Sequence, residues 1–220
     1  MCREAVARIA ANNDGRPFAG NSMTEDYELG LRIGAIGLKT MFVRIAATRS
    51  DRAVVATRGH FPASLGAAIR QKSRWLGGIA LSGWDRLGWS GGIGERWMRM
   101  RDRRGPLAAV LLVAAYSAAV LWSQICLAEA LGAPVQAELD PALVTLLMVN
   151  GWLLAWRIVM RAAFTTSAYG WRQGLLSVPR LVVGNVIAML AAARAIGAHL
   201  GGGPKRWDKT SHIYPAEFAG

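Results

Sequence analysis

The sequence predicts an α/β fragment followed by an α-helical transmembrane region. Composition is the first reason: of 220 residues 53% are hydrophobic, only 18% are charged, and mean hydropathy is +0.24. Disorder needs low hydropathy, so so apolar a chain is neither disordered nor an ordinary soluble domain. The second reason is the distribution of charge. Residues 1–105 hold 18 of the 26 basic and 9 of the 14 acidic residues, whereas 106–200 is nearly uncharged. The third is the order of elements in the first part, helices interleaved with short strands, as in the tail of an α/β domain.

Residues 3–12 read as an amphipathic helix and not as a signal peptide, since no long apolar core follows the basic residue. The chain is therefore expected to begin inside a folded unit. Asn12-Asn13-Asp14-Gly15-Arg16-Pro17 is a turn by its composition. Ser22-Met23-Thr24-Glu25 has the form of a capping box, which predicts a helix from about 25 to 35. The segments 39–46 (KTMFVRIA) and 53–57 (AVVAT) read as short strands. His60-Phe61-Pro62 opens a further helix, running through Gln71 and Trp75 towards Gly88.

The segment 89–104, with Arg96, Arg99, Arg101, Arg103 and Arg104, is expected at a membrane interface. Gly105 to Ala128 is then uncharged over a length of roughly 36 Å as a helix, more than a bilayer core of about 30 Å. Pro141 to Trp156 can span if Arg157 snorkels and Ile158 to Met160 extend the apolar length. Leu181 to Ala193, between Arg180 and Arg194, reaches only about 20 Å. The stretch 181–198 therefore reads as interfacial or re-entrant, with a full span as the alternative. This gives four parts: 1–88, the basic segment 89–104, the membrane helices of 105–200, and a tail, 201–220. Arginines precede the first run and follow the second, while Glu129 to Asp140 holds three acids and no base. By the positive-inside rule the N-terminal region and the tail are cytoplasmic and the 129–140 loop is outside.

A net charge of +12 suits nucleic acid or an anionic membrane surface. The basic residues are 22 arginines and 4 lysines that flank apolar runs, without interleaved aromatic platforms, so membrane is expected and nucleic acid is not. Cys2 and Cys126 make no disulfide framework, and the scattered His60, His199 and His212 make no metal site.

Two constellations can carry chemistry. Thr24-Glu25-Asp26 places carboxylates at a helix N-terminus, where the dipole and free N–H groups keep them ionised. Such a carboxylate either takes a proton from a sugar hydroxyl as a general base or merely caps its helix. In Gln71-Lys72-Ser73-Arg74-Trp75, residues 71, 74 and 75 share a helix face. That face offers an amide, a guanidinium able to grip phosphate oxygens and an indole plane suited to a sugar ring. It equally suits a basic amphipathic helix lying on the membrane, anchored by Trp75.

Together, TED (24–26) and QxxRW (71–75), followed by membrane spans, resemble the processive, membrane-embedded family 2 glycosyltransferases that make cellulose, hyaluronan and related exopolysaccharides. Within that group the resemblance is to the phage adsorption protein B type. It is carried by SMTEDYELGLRIGAIGLKTMFVR (22–44), FPASLGAAIRQKSRWLGGIALSGW (61–84), RDRRGPL (101–107), YGWRQGLLSVPRLVVGNVIAM (169–189) and WDKTSHIYP (207–215). The resemblance implies that residues 1–88 are the C-terminal part of a GT-A catalytic domain. It implies an inverting hexosyltransferase of the bacterial inner membrane, moving sugar from a nucleotide-sugar donor to a glycan acceptor. Asp26 would be the base, with Thr24 and Glu25 supporting its loop. Gln71, Arg74 and Trp75 would bind acceptor and diphosphate, Trp75 stacking on the sugar and Arg74 contacting the nucleotide. Asp26 and Trp75 would then face a common cavity.

The family also needs a uridine pocket and an Asp-x-Asp holding a divalent cation, Mg or Mn, and residues 1–20 supply neither. The expectation is a C-terminal part of a longer enzyme, inactive alone, with the nucleotide half as a possible separate chain. The other reading is a non-catalytic membrane protein: a phage-adsorption or export component, or a degenerate remnant. Arg157 and Arg161, one helical turn apart, read as lipid-headgroup contacts.

Overall fold

The structure, a computed structural model, describes residues 3–18, 22–41, 43, 45–46, 62–134 and 139–202. These fall into two compact units, 1–108 with 190–220, and 109–189. The division lies just inside the apolar run that begins at Gly105.

In the first unit, α1 (Arg3–Ala11) and α2 (Glu25–Ala35) pack through a small core of Ile9, Leu29 and Ile33, with Ile36 at its edge. Leu29 and Ile33 are four apart and so project from one face. The Asn13-Asp14-Gly15 turn uses left-handed backbone at Asp14 and Gly15, a conformation that Asp tolerates and Gly adopts freely. Gly37 (φ +79) ends α2, its N–H reaching the Gly34 carbonyl while Leu38 N–H reaches that of Ile33. That is the Schellman arrangement, which satisfies the last carbonyls of a helix.

Among the described residues no strand forms. The described residues of 39–45 lie in no regular element, Ala46 makes a single β-bridge, and 53–57 lies outside the described residues. What is described of the α/β part is helical.

Ser64 caps α3 (Leu65–Leu76) by accepting from Ala67 N–H. The helix widens to π geometry over Gly77–Ser82 and tightens again as α4 (Gly83–Leu87). α5 (Ile93–Arg103) carries much of the basic segment, but two of its arginines do not face a membrane. Arg99 and Arg103 are both 4% exposed. Arg99 donates to the carbonyls of Leu87 (2.8 Å) and Gly88 (3.2 Å), and Arg103 to that of Gly88 (2.8 Å). Cations there satisfy the orphan carbonyls at the end of α4. Arg103 also lies against Trp84 and Trp89, 5.5 and 4.8 Å from their ring centroids. Burial pushes its pKa below the ordinary arginine value.

Three long apolar helices follow: α6 (Gly105–Ala130), α7 (Pro141–Tyr169) and α8 (Trp171–Leu200), each long and apolar enough to cross a membrane. Asp140 caps α7 by accepting from Ala142 N–H at 2.7 Å, with Pro141 in the first turn, where its missing N–H costs nothing. Within the second unit α8 continues through Pro179 and Arg180 without reversing. The shortness of 181–193, which argued for an interfacial or re-entrant segment, is therefore not the length of the element. Flanking polar residues extend the helix to roughly 45 Å.

Candidate functional site

Thr24 is the N-cap residue of α2, Glu25 and Asp26 form its first turn, and Gln71, Arg74 and Trp75 lie in the last turns of α3. The capping box expected at Ser22 does not form. The Ser22 hydroxyl instead donates to the Glu28 carboxylate at 2.7 Å and accepts from Thr24 N–H. Thr24, 4% exposed, makes no capping bond with its side chain, which packs against Gly78. A Cβ on Gly78 would stand 2.6 Å from Thr24 Cγ2, so no larger residue fits without movement. Gly78 lies three residues past Trp75, at the start of the π turn. The TED loop thus rests on the continuation of the QxxRW helix, and the two motifs, 45 residues apart in sequence, meet in one unit.

Asp26 is exposed, its Oδ1 accepting the Tyr27 N–H at 2.8 Å. It opens on a cleft of about 580 Å³ between α1, α2 and residues 38–41, lined also by Arg8, Leu29, Ile33 and Lys39. Gln71, Arg74 and Trp75 do not line this cleft. The structure therefore joins the motifs through Thr24 and Gly78, and the cleft at Asp26 is not the cavity expected to hold Trp75 as well. Trp75 is 42% exposed. Gln71 keeps its Oε1 buried with no hydrogen-bond partner among the described residues.

Sequence reasoning missed Glu28. It is 2% exposed, and beyond Ser22 its carboxylate pairs with Arg86 of α4 and stands 3.8 Å from Arg32. Its position four residues before Arg32 was legible; Arg86, 58 residues away, was not. A second tie joins the Tyr27 hydroxyl on α2 to Asp102 on α5 at 3.4 Å. Burial, with Asp102 beside it, holds the Tyr27 phenol above its ordinary pKa, so it stays a neutral donor. Glu28–Arg86 and Tyr27–Asp102 fix the helix that carries Asp26 against α4 and α5. Among the described residues no three His, Cys, Asp or Glu converge as a metal site.

The chain matches the glycosyl transferase family group 2 over residues 3–160. It is 34% identical to the bacteriophage adsorption protein B of Escherichia coli strain K12, an alignment covering 97% of this chain and 32% of that protein. The bacteriophage N4 adsorption protein B of Escherichia coli O157:H7 is similar to the same extent. The chain thus spans about a third of the length of these relatives. No solved structure matches it. A helical pair of motif-bearing segments, three bilayer-length helices and these likenesses agree on one assignment: the chain belongs to the glycosyl transferase family group 2.

Proposed function

We propose that this chain is the acceptor-side part of an inverting hexosyltransferase of the bacterial inner membrane, serving exopolysaccharide synthesis, with its N-terminal region in the cytoplasm. The observation that carries the reading is the seating of Thr24 on Gly78, which brings the TED turn onto the helix of Gln71, Arg74 and Trp75. Asp26, exposed in the first turn of α2, takes the proton of an acceptor hydroxyl. The hydroxyl oxygen bonds to the anomeric carbon as the bond to the nucleoside diphosphate breaks, so one displacement inverts the configuration. Arg74 holds the departing diphosphate with its forked N–H groups, and Gln71 and Trp75 hold the acceptor sugar. Thr24 and Glu25 support the turn that carries Asp26. Among the described residues no three His, Cys, Asp or Glu converge that would hold the divalent cation expected of this family.

The test uses membranes in which the chain is expressed alone and joined to the part of the K12 adsorption protein B that it does not span, supplied with labelled nucleotide sugars. Asp26→Asn is expected to lower transfer into glycan by about 10²–10⁴-fold, the usual contribution of a general base. Unchanged transfer removes Asp26 from that role. The names of the two relatives favour a second reading, a non-catalytic component of phage adsorption or export. Sugar transfer that is absent under every pairing, with phage adsorption intact, selects that reading instead.

A further inference from the structure

Residues 141–200 contain five arginines, Arg157, Arg161, Arg172, Arg180 and Arg194, and no acidic residue. The hairpin of α7 and α8 fixes where three of them stand. Gly170 (φ +88) separates the two helices, and Gly174 lies so close to α7 that a Cβ there would collide with Thr166 Oγ1. Further along, Arg161 Nε donates to the Ser177 carbonyl at 3.1 Å. These contacts bring Arg161 of α7 beside Ser177 of α8 near the corner at Gly170. Arg157 lies one turn before Arg161 on α7, and Arg180 one turn after Ser177 on α8, so both lie within a turn of the Arg161–Ser177 contact. Arg157 and Arg161 share a stripe of α7, the one from which Arg161 reaches α8. Arg180 lies one turn from Ser177, which is buried. The three arginines thus stand at or one turn beyond the level where the apolar stretches 141–156 and 181–193 end.

Two of them are partly held: Arg161 by the Ser177 carbonyl, and Arg180 by Gln173 Oε1 at 2.8 Å. Among the described residues none of the three pairs with a carboxylate. Three like charges a turn or so apart at the edge of hydrocarbon are unfavourable unless an anion lies among them. A guanidinium fork matches two phosphate oxygens, a fit no single backbone carbonyl provides. Beside them Leu153, Trp156 and Val183 are exposed, a surface suited to acyl chains that a free phosphate would not use. We propose that Arg157, Arg161 and Arg180 form a binding site for the phosphate of an anionic phospholipid, with its chains along the apolar faces of α7 and α8. Lipid binding there does not depend on the transfer reaction.

The full chain, purified from nanodiscs of mixed phosphatidylcholine and phosphatidylglycerol, is tested for retained lipid by mass spectrometry. Phosphatidylglycerol is expected to be retained over phosphatidylcholine by about tenfold, and the double variant Arg157→Gln/Arg180→Gln is expected to lose that preference. Equal retention of both lipids by the unaltered chain overturns the proposal. So does a preference that survives in the double variant with helicity unchanged by circular dichroism. Should the double variant lose helicity, Arg157→Gln alone decides: its preference should fall about fivefold, and an unchanged preference overturns the site. Millimolar inorganic phosphate is expected to leave the retained lipid in place; its displacement would reassign the site to free phosphate.

Discussion

A carboxylate withdrawn from water raises the energy of the folded chain unless a cation and hydrogen bonds replace its hydration. Glu28 has Arg86, Arg32 and the Ser22 hydroxyl around it, so its burial is tolerated while all of them remain. Removing one side of such a pair is worse than never having had it. Glu28→Ala should destabilise the chain by about 3–5 kcal/mol, whereas Glu28→Leu with Arg86→Met should recover most of that loss. Denaturant unfolding in detergent micelles measures both. Wild-type stability in the single variant would show that the pair does not hold α2 to α4. At this scale the sequence was informative about residue types and poor about partners. TED and QxxRW stood out as motifs, but a pair 58 residues apart has no local signal. The Ser22 hydroxyl also left its expected cap for Glu28, because a buried charge is the more demanding partner.

Helices α2 and α3, the turn at 12–17 and the apolar runs were legible because each rests on local patterns: a 3.6-residue apolar period, cap residues, or long uncharged stretches. Arg99 and Arg103 were not. In sequence they belong to a basic segment, and only the return of α5 onto α4 turns them inward to the carbonyls of Leu87 and Gly88. The π turn at Gly77–Ser82, on which Thr24 packs at Gly78, was equally hidden. Close approach also governs the corner of α7 and α8. Gly174→Ala would put a methyl group against Thr166 Oγ1, where it cannot fit without movement, and 3.1 Å from the Ala162 carbonyl. The expected loss is about 1–3 kcal/mol, with much of it regained in Gly174→Ala/Thr166→Ala. Thermal melting of the three proteins in one detergent gives the comparison, and an unchanged single variant would mean that the helices part at no cost.

For the molecule as a whole, the decisive quantity is apolar surface left uncovered within each unit. Residues such as Leu111, Leu146, Leu153 and Val183 are about half exposed or more, as lipid-facing residues are and core residues are not. The full chain should therefore sediment with membranes and stay there through an alkaline carbonate wash. Release into the wash would mean that protein, and not lipid, covers α6, α7 and α8. Composition and order alone determined the membrane character, the helices that bear both motifs and the family resemblance, since hydropathy, periodicity and short motifs are properties of consecutive residues. Tertiary structure alone decided that Thr24 seats on Gly78, that Glu28 is a buried ion-pair partner, that two arginines of a basic segment face inward, and that Arg161 reaches the Ser177 carbonyl. Each of these depends on which distant residues share a surface, and contacts between distant residues are set by packing.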